Sequence, residues 1–237
     1  MYDICQRKFA FDLMSSVLPK GTCGSCWAFS AIGSLEASAA RREAYLTYKT
    51  FMANHTQQGV DGDNPALMKQ ASRLAQQVEL EAFSMLNLSV QELVDCDTAA
   101  DQGCTGGNPL LAFYFIHRYG LTTWDRYPYA GRQDSCHKHR VRAPVASVKS
   151  WGVISPNHEN HMEIALRFIG PIAVGVNGAD PSFLAYSGGI FDKKRCHQGA
   201  NHALLIVGYG QETDRHGEVT KYWIARNSWG KVSLREQ

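Results

Sequence analysis

The sequence predicts an α+β fold built as two lobes. Three observations carry this. Apolar residues recur at helical spacing through the first half of the chain, short β-rich runs ended by glycine or proline fill the second half, and 237 residues suffice for two modest cores. The 44 % hydrophobic and 19 % charged content is ordinary for a globular protein. A net charge of +2 gives no basis for nucleic acid or an anionic membrane as partner. No apolar run reaches the ~18 residues needed to span a bilayer.

Residues 1–20 match no targeting pattern. The apolar stretch Phe9–Leu18 is interrupted by Asp12, whereas a secretory signal core is cleaner. Gly24–Ser38 reads as a helix with Ser25 as cap and Trp27, Phe29, Ile32 and Leu35 on one face. A second helical zone, Arg41–Met52, spaces Tyr45, Tyr48, Phe51 and Met52 along another apolar stripe. The polar stretch Asn54–Asn64 reads as a loop. Asn64-Pro65 then opens a helix faced by Leu67, Ala71, Leu74 and Val78. Core packing is the expected use of these stripes. Leu88–Val94 is a short helix, Asp95–Pro109 a glycine- and cysteine-bearing loop, and Leu110–Arg118 a helix stopped by Gly120. Beyond Tyr127 the strands are Pro171–Val176, Ala203–Tyr209 and Lys221–Arg226.

Chemistry concentrates in Cys23-Gly24-Ser25-Cys26-Trp27. A thiol at a helix N-terminus is favoured as thiolate, so Cys26 is a candidate nucleophile. The pair could instead be half of a zinc site, but no second CxxC or spaced His pair accompanies it. It could also be a redox dithiol, although Leu18-Pro19-Lys20-Gly21 makes a poor strand end before it. A nucleophilic cysteine needs a base and a group to orient that base. Asn201-His202-Ala203, running into Leu204–Val207, supplies the first. Asn227 in Lys221-Tyr222-Trp223-Ile224-Ala225-Arg226-Asn227-Ser228-Trp229-Gly230 supplies the second.

Together these motifs resemble the papain family of cysteine peptidases. Further landmarks appear in family order: Leu88-Ser89-Val90-Gln91-Glu92-Leu93-Val94-Asp95-Cys96, Gly103-Cys104-Thr105-Gly106-Gly107-Asn108-Pro109, Tyr127-Pro128-Tyr129 with Cys136, and Ser187-Gly188-Gly189-Ile190-Phe191. His202 and Asn227 lie farther from Cys26 than the family's ~130–150 residues. Extra sequence between Glu36 and Leu88 accounts for the excess.

The resemblance implies a papain-like two-lobe fold with the cleft between a helical lobe and a β-barrel-like lobe. Residues 21–126 would form the helical lobe, with an insertion around 37–87, and 127–237 the β-rich lobe. It implies catalysis by Cys26, His202 and Asn227, with Trp229 shielding the His202–Asn227 bond. Gly106 and Gly107 would align the substrate backbone. Asn108, Pro109, Gly175 and Ala203 would line a roomy apolar pocket, with Asn201 beside them. It also implies bridges Cys23–Cys104 and Cys96–Cys136, which leave Cys5 and Cys196 unassigned among the seven cysteines. Peptides or proteins are the implied substrates and cystatin-type proteins the implied inhibitors. A monomer with no cofactor and no metal is expected, in an endolysosomal, vacuolar or secreted setting. The sequons Asn54-His55-Thr56 and Asn87-Leu88-Ser89 fit such a route.

Three departures stand against full activity. Lys20 occupies the place of the glutamine that helps the Cys26 amide form the oxyanion hole. Residues 1–19 lack the family's mature start, and the chain ends soon after Gly230. These predict a fragment or misjoined gene model rather than a remodelled enzyme. They keep open a second function, a catalytically impaired homologue that only binds.

Overall fold

The computed structural model describes residues 2–3, 9–12, 23–59, 61–141, 143–155, 158–192 and 199–229. It is an α+β protein. In chain order it contains β1 (Tyr2–Asp3), β2 (Phe9–Asp12), α1 (Cys26–Gln57), α2 (Pro65–Met85), α3 (Val90–Cys96), a 3₁₀ turn (Gly103–Thr105), α4 (Pro109–Tyr119), α5 (Glu159–Phe168), β3 (Ile172–Val176), α6 (Pro181–Leu184), β4 (His202–Thr213) and β5 (Val219–Arg226). Two compact units partition the chain: Leu35–Asn87, and Met1–Ser34 with Leu88–Gln237.

The first difference from the sequence reading is α1. Two helices were expected, yet one runs for 32 residues. Nothing stops it at the expected break, because Ala39, Ala40 and Arg41 are strong helix formers. It also continues into the expected loop, where the Thr56 hydroxyl donates to the Met52 carbonyl at 2.9 Å. The turn after it uses Gly59 at φ 83°. α2 begins as predicted, with Asn64 Oδ1 accepting from the Ala66 and Leu67 amides and Pro65 in the first turn.

Within the Leu35–Asn87 unit the buried positions are Ala40, Ala44, Leu67 and Ala71. The stripes expected to be core are only partly so, since Tyr45 is 60 % exposed and Leu74 37 %. Two helices can bury one seam, and small residues occupy most of it.

In the larger unit, α3 is capped by Ser89, whose hydroxyl accepts from the Glu92 amide at 3.0 Å and donates to the Tyr127 carbonyl at 2.6 Å. Six residues of this short helix are buried, Gln91, Glu92 and Asp95 among them. α4 starts from an Asn108 cap and ends at Gly120, which has φ 74°.

The sheet runs β1-β3-β4-β5-β2. β3, β4 and β5 are antiparallel, and both flanking strands are parallel to their neighbours. The segment read as atypical, residues 1–20, therefore supplies both edges. Its strands are short and follow no full alternation, so periodicity does not reveal them. Val174, Val176, Leu204, Ile206, Trp223 and Ala225 form the sheet's core with Met162 and Leu166 of α5 and Phe183 of α6. α5 falls in a region read as strand. It buries only Met162 and Leu166, four residues apart, and leaves Ile164 and Phe168 exposed.

Candidate active site

Cys26 is the first residue of α1. The turn before it is fixed by three constraints. Cys23 is bridged to Cys104, the Gly24 amide donates to the Cys104 carbonyl at 2.8 Å, and a Cβ on Gly24 would lie 2.5 Å from that oxygen. Only glycine fits such a close backbone approach. The Ser25 carbonyl receives the Ala28 and Phe29 amides, which opens the helix. The Ser25 hydroxyl, expected as a cap, meets the Tyr129 hydroxyl at 2.6 Å. Burial pushes the Tyr129 phenol up, the Ser25 bond opposes this, and the Cys26 charge adds to it. Cys26 is buried and is the free cysteine among the described residues. The redox-dithiol alternative fails here, because the Cys23 sulfur is already bonded to Cys104.

His202 opens β4 and is buried. Its Nε2 lies 2.8 Å from Asn227 Oδ1, just past the end of β5. The same oxygen accepts the Ser228 amide at 2.8 Å. Trp229 has its ring 5.1 Å from the imidazole, and Phe183 packs edge-on to both rings. Behind the histidine, a Cβ on Gly178 would sit 2.6 Å from His202 Cβ. Asn201 holds that glycine by accepting its amide at 2.8 Å, and it donates to Asn177 Oδ1.

α1 is tied directly to the sheet. Ser30 donates to the Leu204 carbonyl at 2.8 Å in a buried bond, one turn beyond Cys26 and two residues beyond His202. Ser34 donates to the Pro171 carbonyl at 2.7 Å. These tethers connect the helix that carries the thiol to the strand that carries the imidazole.

Gly106 to Pro109 join the 3₁₀ turn to α4. Trp27 donates from its indole to the Gly103 carbonyl at 3.0 Å, and a Cβ on Gly107 would lie 2.5 Å from the Trp27 ring. The Gly106–Gly107 edge thus rests on the first turn of α1. Gly175 and Ala203 are cross-strand partners, directly beside the Val176–His202 pair. The bridge Cys96–Cys136 closes the other side of the α3 loop. Lys20, Cys5 and Cys196 lie outside the described residues.

Sequence reasoning missed Gly178, Ser30, Phe183, Asp97 and Asp101. Asp101 Oδ1 accepts the Asn108 amide at 2.6 Å, and both aspartates are buried. Ser30 ends the run Cys23–Ser30, but nothing in that run tells of its bond to Leu204, and no motif marks the others. Among the described residues no cluster of His, Cys, Asp and Glu could hold a metal.

A model of the papain family of cysteine proteases matches residues 3–71 and 66–234. The thiol protease SEN102 of Hemerocallis is 34 % identical over 218 residues, covering 92 % of this chain and 48 % of that protein. Cathepsin S of Bos taurus is 30 % identical over 220 residues, covering 92 % and 53 %. Among solved structures, the digestive procathepsin L2 proteinase of Tenebrio molitor larval midgut superposes with a TM-score of 0.63 at 28 % identity, covering 92 % of this chain and 55 % of that one. The chain spans about half the length of the curated relatives it matches. The match continues on both sides of the two-helix unit and takes in each motif that flanks Cys26, His202 and Asn227, so the chain belongs to the papain family of cysteine proteases.

Proposed function

We propose that this chain hydrolyses peptide bonds with Cys26 as nucleophile, His202 as acid and base, and Asn227 as the group that orients His202. The carrying observation is the 2.8 Å contact of His202 Nε2 with Asn227 Oδ1. Because that oxygen also accepts a backbone amide from Ser228, it is the acceptor, and His202 Nε2 is the donor. Nδ1 is then the ring nitrogen that takes the Cys26 proton. The thiolate attacks the scissile carbonyl, and imidazolium Nδ1–H protonates the leaving amine. The neutral ring next activates the water that releases the acyl group. Trp229 and Phe183 keep solvent from the His202–Asn227 bond.

Negative charge on the tetrahedral intermediate falls to the Cys26 amide and to the group at position 20. Lysine there lacks the geometry of an amide, and loss of one such donor commonly costs ~10²–10³ in turnover. Substrates are peptides or proteins, laid along Gly106–Gly107, with a side chain entering a pocket of Asn108, Pro109, Gly175 and Ala203. Cystatin-type inhibitors would occupy the same cleft, the working form is a monomer, and the setting is endolysosomal, vacuolar or secreted.

An epoxide active-site probe tests the proposal. Labelling is expected at Cys26, to be abolished by Cys26→Ser and greatly reduced by His202→Ala. Labelling that ignores loss of His202 would refute it. A folded, unlabelled protein would instead favour the impaired homologue that the lysine at position 20 raises.

A further inference from the structure

The edge that the proposed function assigns to substrate backbone is held from beneath by two buried carboxyls. Asp101 Oδ1 accepts the Asn108 amide at 2.6 Å, and it would lie 2.7 Å from a Cβ on Gly107. The Asp101 amide donates to the Asp97 carbonyl at 3.3 Å, and the Gln102 amide closes the loop on the Gly106 carbonyl at 2.9 Å. Asp97 is 3 % exposed and Asp101 4 %. The Oδ2 atom of each is buried with no N–H or O–H donor to satisfy it, and the Asp101 carboxyl is close enough to act on Asp97. Two carboxylates cannot satisfy one another by a hydrogen bond, because neither has a proton to donate.

We propose that Asp97 and Asp101 share one proton and act as positioning residues for the Gly106–Gly107 edge, so that peptide binding there requires the singly protonated pair. With the proton in place, Asp97 donates to Asp101, and Asp101 keeps its other oxygen on the Asn108 amide. Without it, two buried negative charges repel each other, and the carboxylate seated under Gly107 is driven from its place. Burial, then the Asp101 charge and hydrogen bond, push Asp97 up to about 7, and burial also raises Asp101.

The charge acting on Asp97 is that of Asp101; on Asp101 the influences are burial, opposed by the Asn108 amide and the Asp97 side chain. Neighbouring groups are otherwise engaged or uncharged. Asp95 of α3 is held by the Gln91 amide, the Tyr127 hydroxyl and the Asp134 backbone amide. Gln133 packs on Gly103, and Trp27 packs under Gly107.

The inference rests on the proposed peptidase reading, and the test separates the two. KM is measured for a peptide long enough to lie along the edge, between about pH 5.5 and 8, beside iodoacetamide inactivation of Cys26, which does not use the edge. In the wild type KM should rise about tenfold across that range, about fivefold of it between pH 7 and 8, as loss of one required proton near pH 7 dictates. In Asp97→Asn the side-chain amide donates permanently to Asp101, and KM should become flat across that range. Asp101→Asn, which keeps an acceptor for the Asn108 amide and donates to Asp97, should flatten it as well and serves if the first variant does not fold. Iodoacetamide profiles should coincide for wild type and variants.

A KM rise that persists in both variants overturns the pair's role while leaving the peptidase reading intact. If no peptide is cleaved, the peptidase reading fails, and amide hydrogen exchange decides the inference instead. Protection of the Gly107 and Asn108 amides, corrected for intrinsic rate, should fall above about pH 7 in the wild type and not in Asp97→Asn. Equal protection profiles would overturn the inference.

Discussion

Glu92 offers a direct test of how the helical side of the larger unit is stabilised. It is a buried acid in α3, and its Oε2 accepts the Thr122 amide at 2.7 Å. Burial, partly offset by that amide, pushes its carboxyl from 4.5 up to about 7. In the folded protein the proton is therefore held more tightly than in the unfolded chain. Stability from this group is fully present below about pH 4.5 and is lost as pH rises towards 7. At 1.36 kcal/mol per unit, the shift amounts to about 3 kcal/mol across that window. Glu92→Gln keeps an oxygen for the Thr122 amide and removes the titration. Urea unfolding with the disulfides intact, repeated from about pH 4 to 8, reads the difference. The two proteins should be similarly stable at the acid end, and the glutamine form should lead by about 3 kcal/mol at the alkaline end. Both proteins will retain some slope from Asp97, so the decisive quantity is the loss of one proton's worth of slope in the variant. Parallel stability curves for the two proteins would refute the assignment.

Asn227→Ala should lower kcat by about 10²-fold with little change in KM, because it removes no group assigned to substrate binding but leaves the imidazole without the contact that orients it; steady-state kinetics decide this. Gly178→Ala should have a similar effect on kcat, since the new methyl would sit 2.6 Å from His202 Cβ and displace the ring; an unchanged circular dichroism spectrum would show that the fold persists. Ser30→Ala removes a buried bond to the Leu204 carbonyl and should cost about 1–3 kcal/mol in urea unfolding. Replacing both Cys23 and Cys104 by serine should cost about 2–5 kcal/mol by the same assay and slow labelling of Cys26, whose loop that bridge holds.

Much of the site was legible because its chemistry sits in short local motifs. Cys26, His202 and Asn227 each occupy a run of residues whose types answer to one another, and the capped starts of α2, α3 and α4 follow from Asn64-Pro65, Ser89 and Asn108-Pro109. What was hidden is non-local. Ser30 bonds across 174 residues to Leu204, and Gly178 matters only because His202 folds against it. Asp97 and Asp101 look like ordinary polar loop residues until burial joins their oxygens. α5 escapes the sequence reading because Met162, Ile164, Leu166 and Phe168 alternate at strand spacing, and α1 reads as two helices because its apolar stripe changes face. The edge strands β1 and β2 owe their form to partners more than 160 residues away.

The Leu35–Asn87 unit raises the question of how the larger unit accommodates it. The anchors give a physical answer. The last tether of α1 to the sheet is Ser34, at the limit of the larger unit, and the chain re-enters that unit at Leu88. Leu88 is fully buried and bridges to Thr123, and Ser89 immediately caps α3 against Tyr127. The contacts that set the direction of Cys26 and seat the Gly106–Gly107 edge, such as Cys23–Cys104 and Trp27 against Gly103 and Gly107, all join residues before the departure point to residues after the return. Lengthening the connection between two such fixed ends adds only a slowly growing entropic cost, about 0.6 kcal/mol per doubling for a flexible loop. Two helices that bury a seam of their own reduce even that. The two-helix unit therefore leaves and rejoins the chain where neither Cys26 nor the Gly106–Gly107 edge depends on its length.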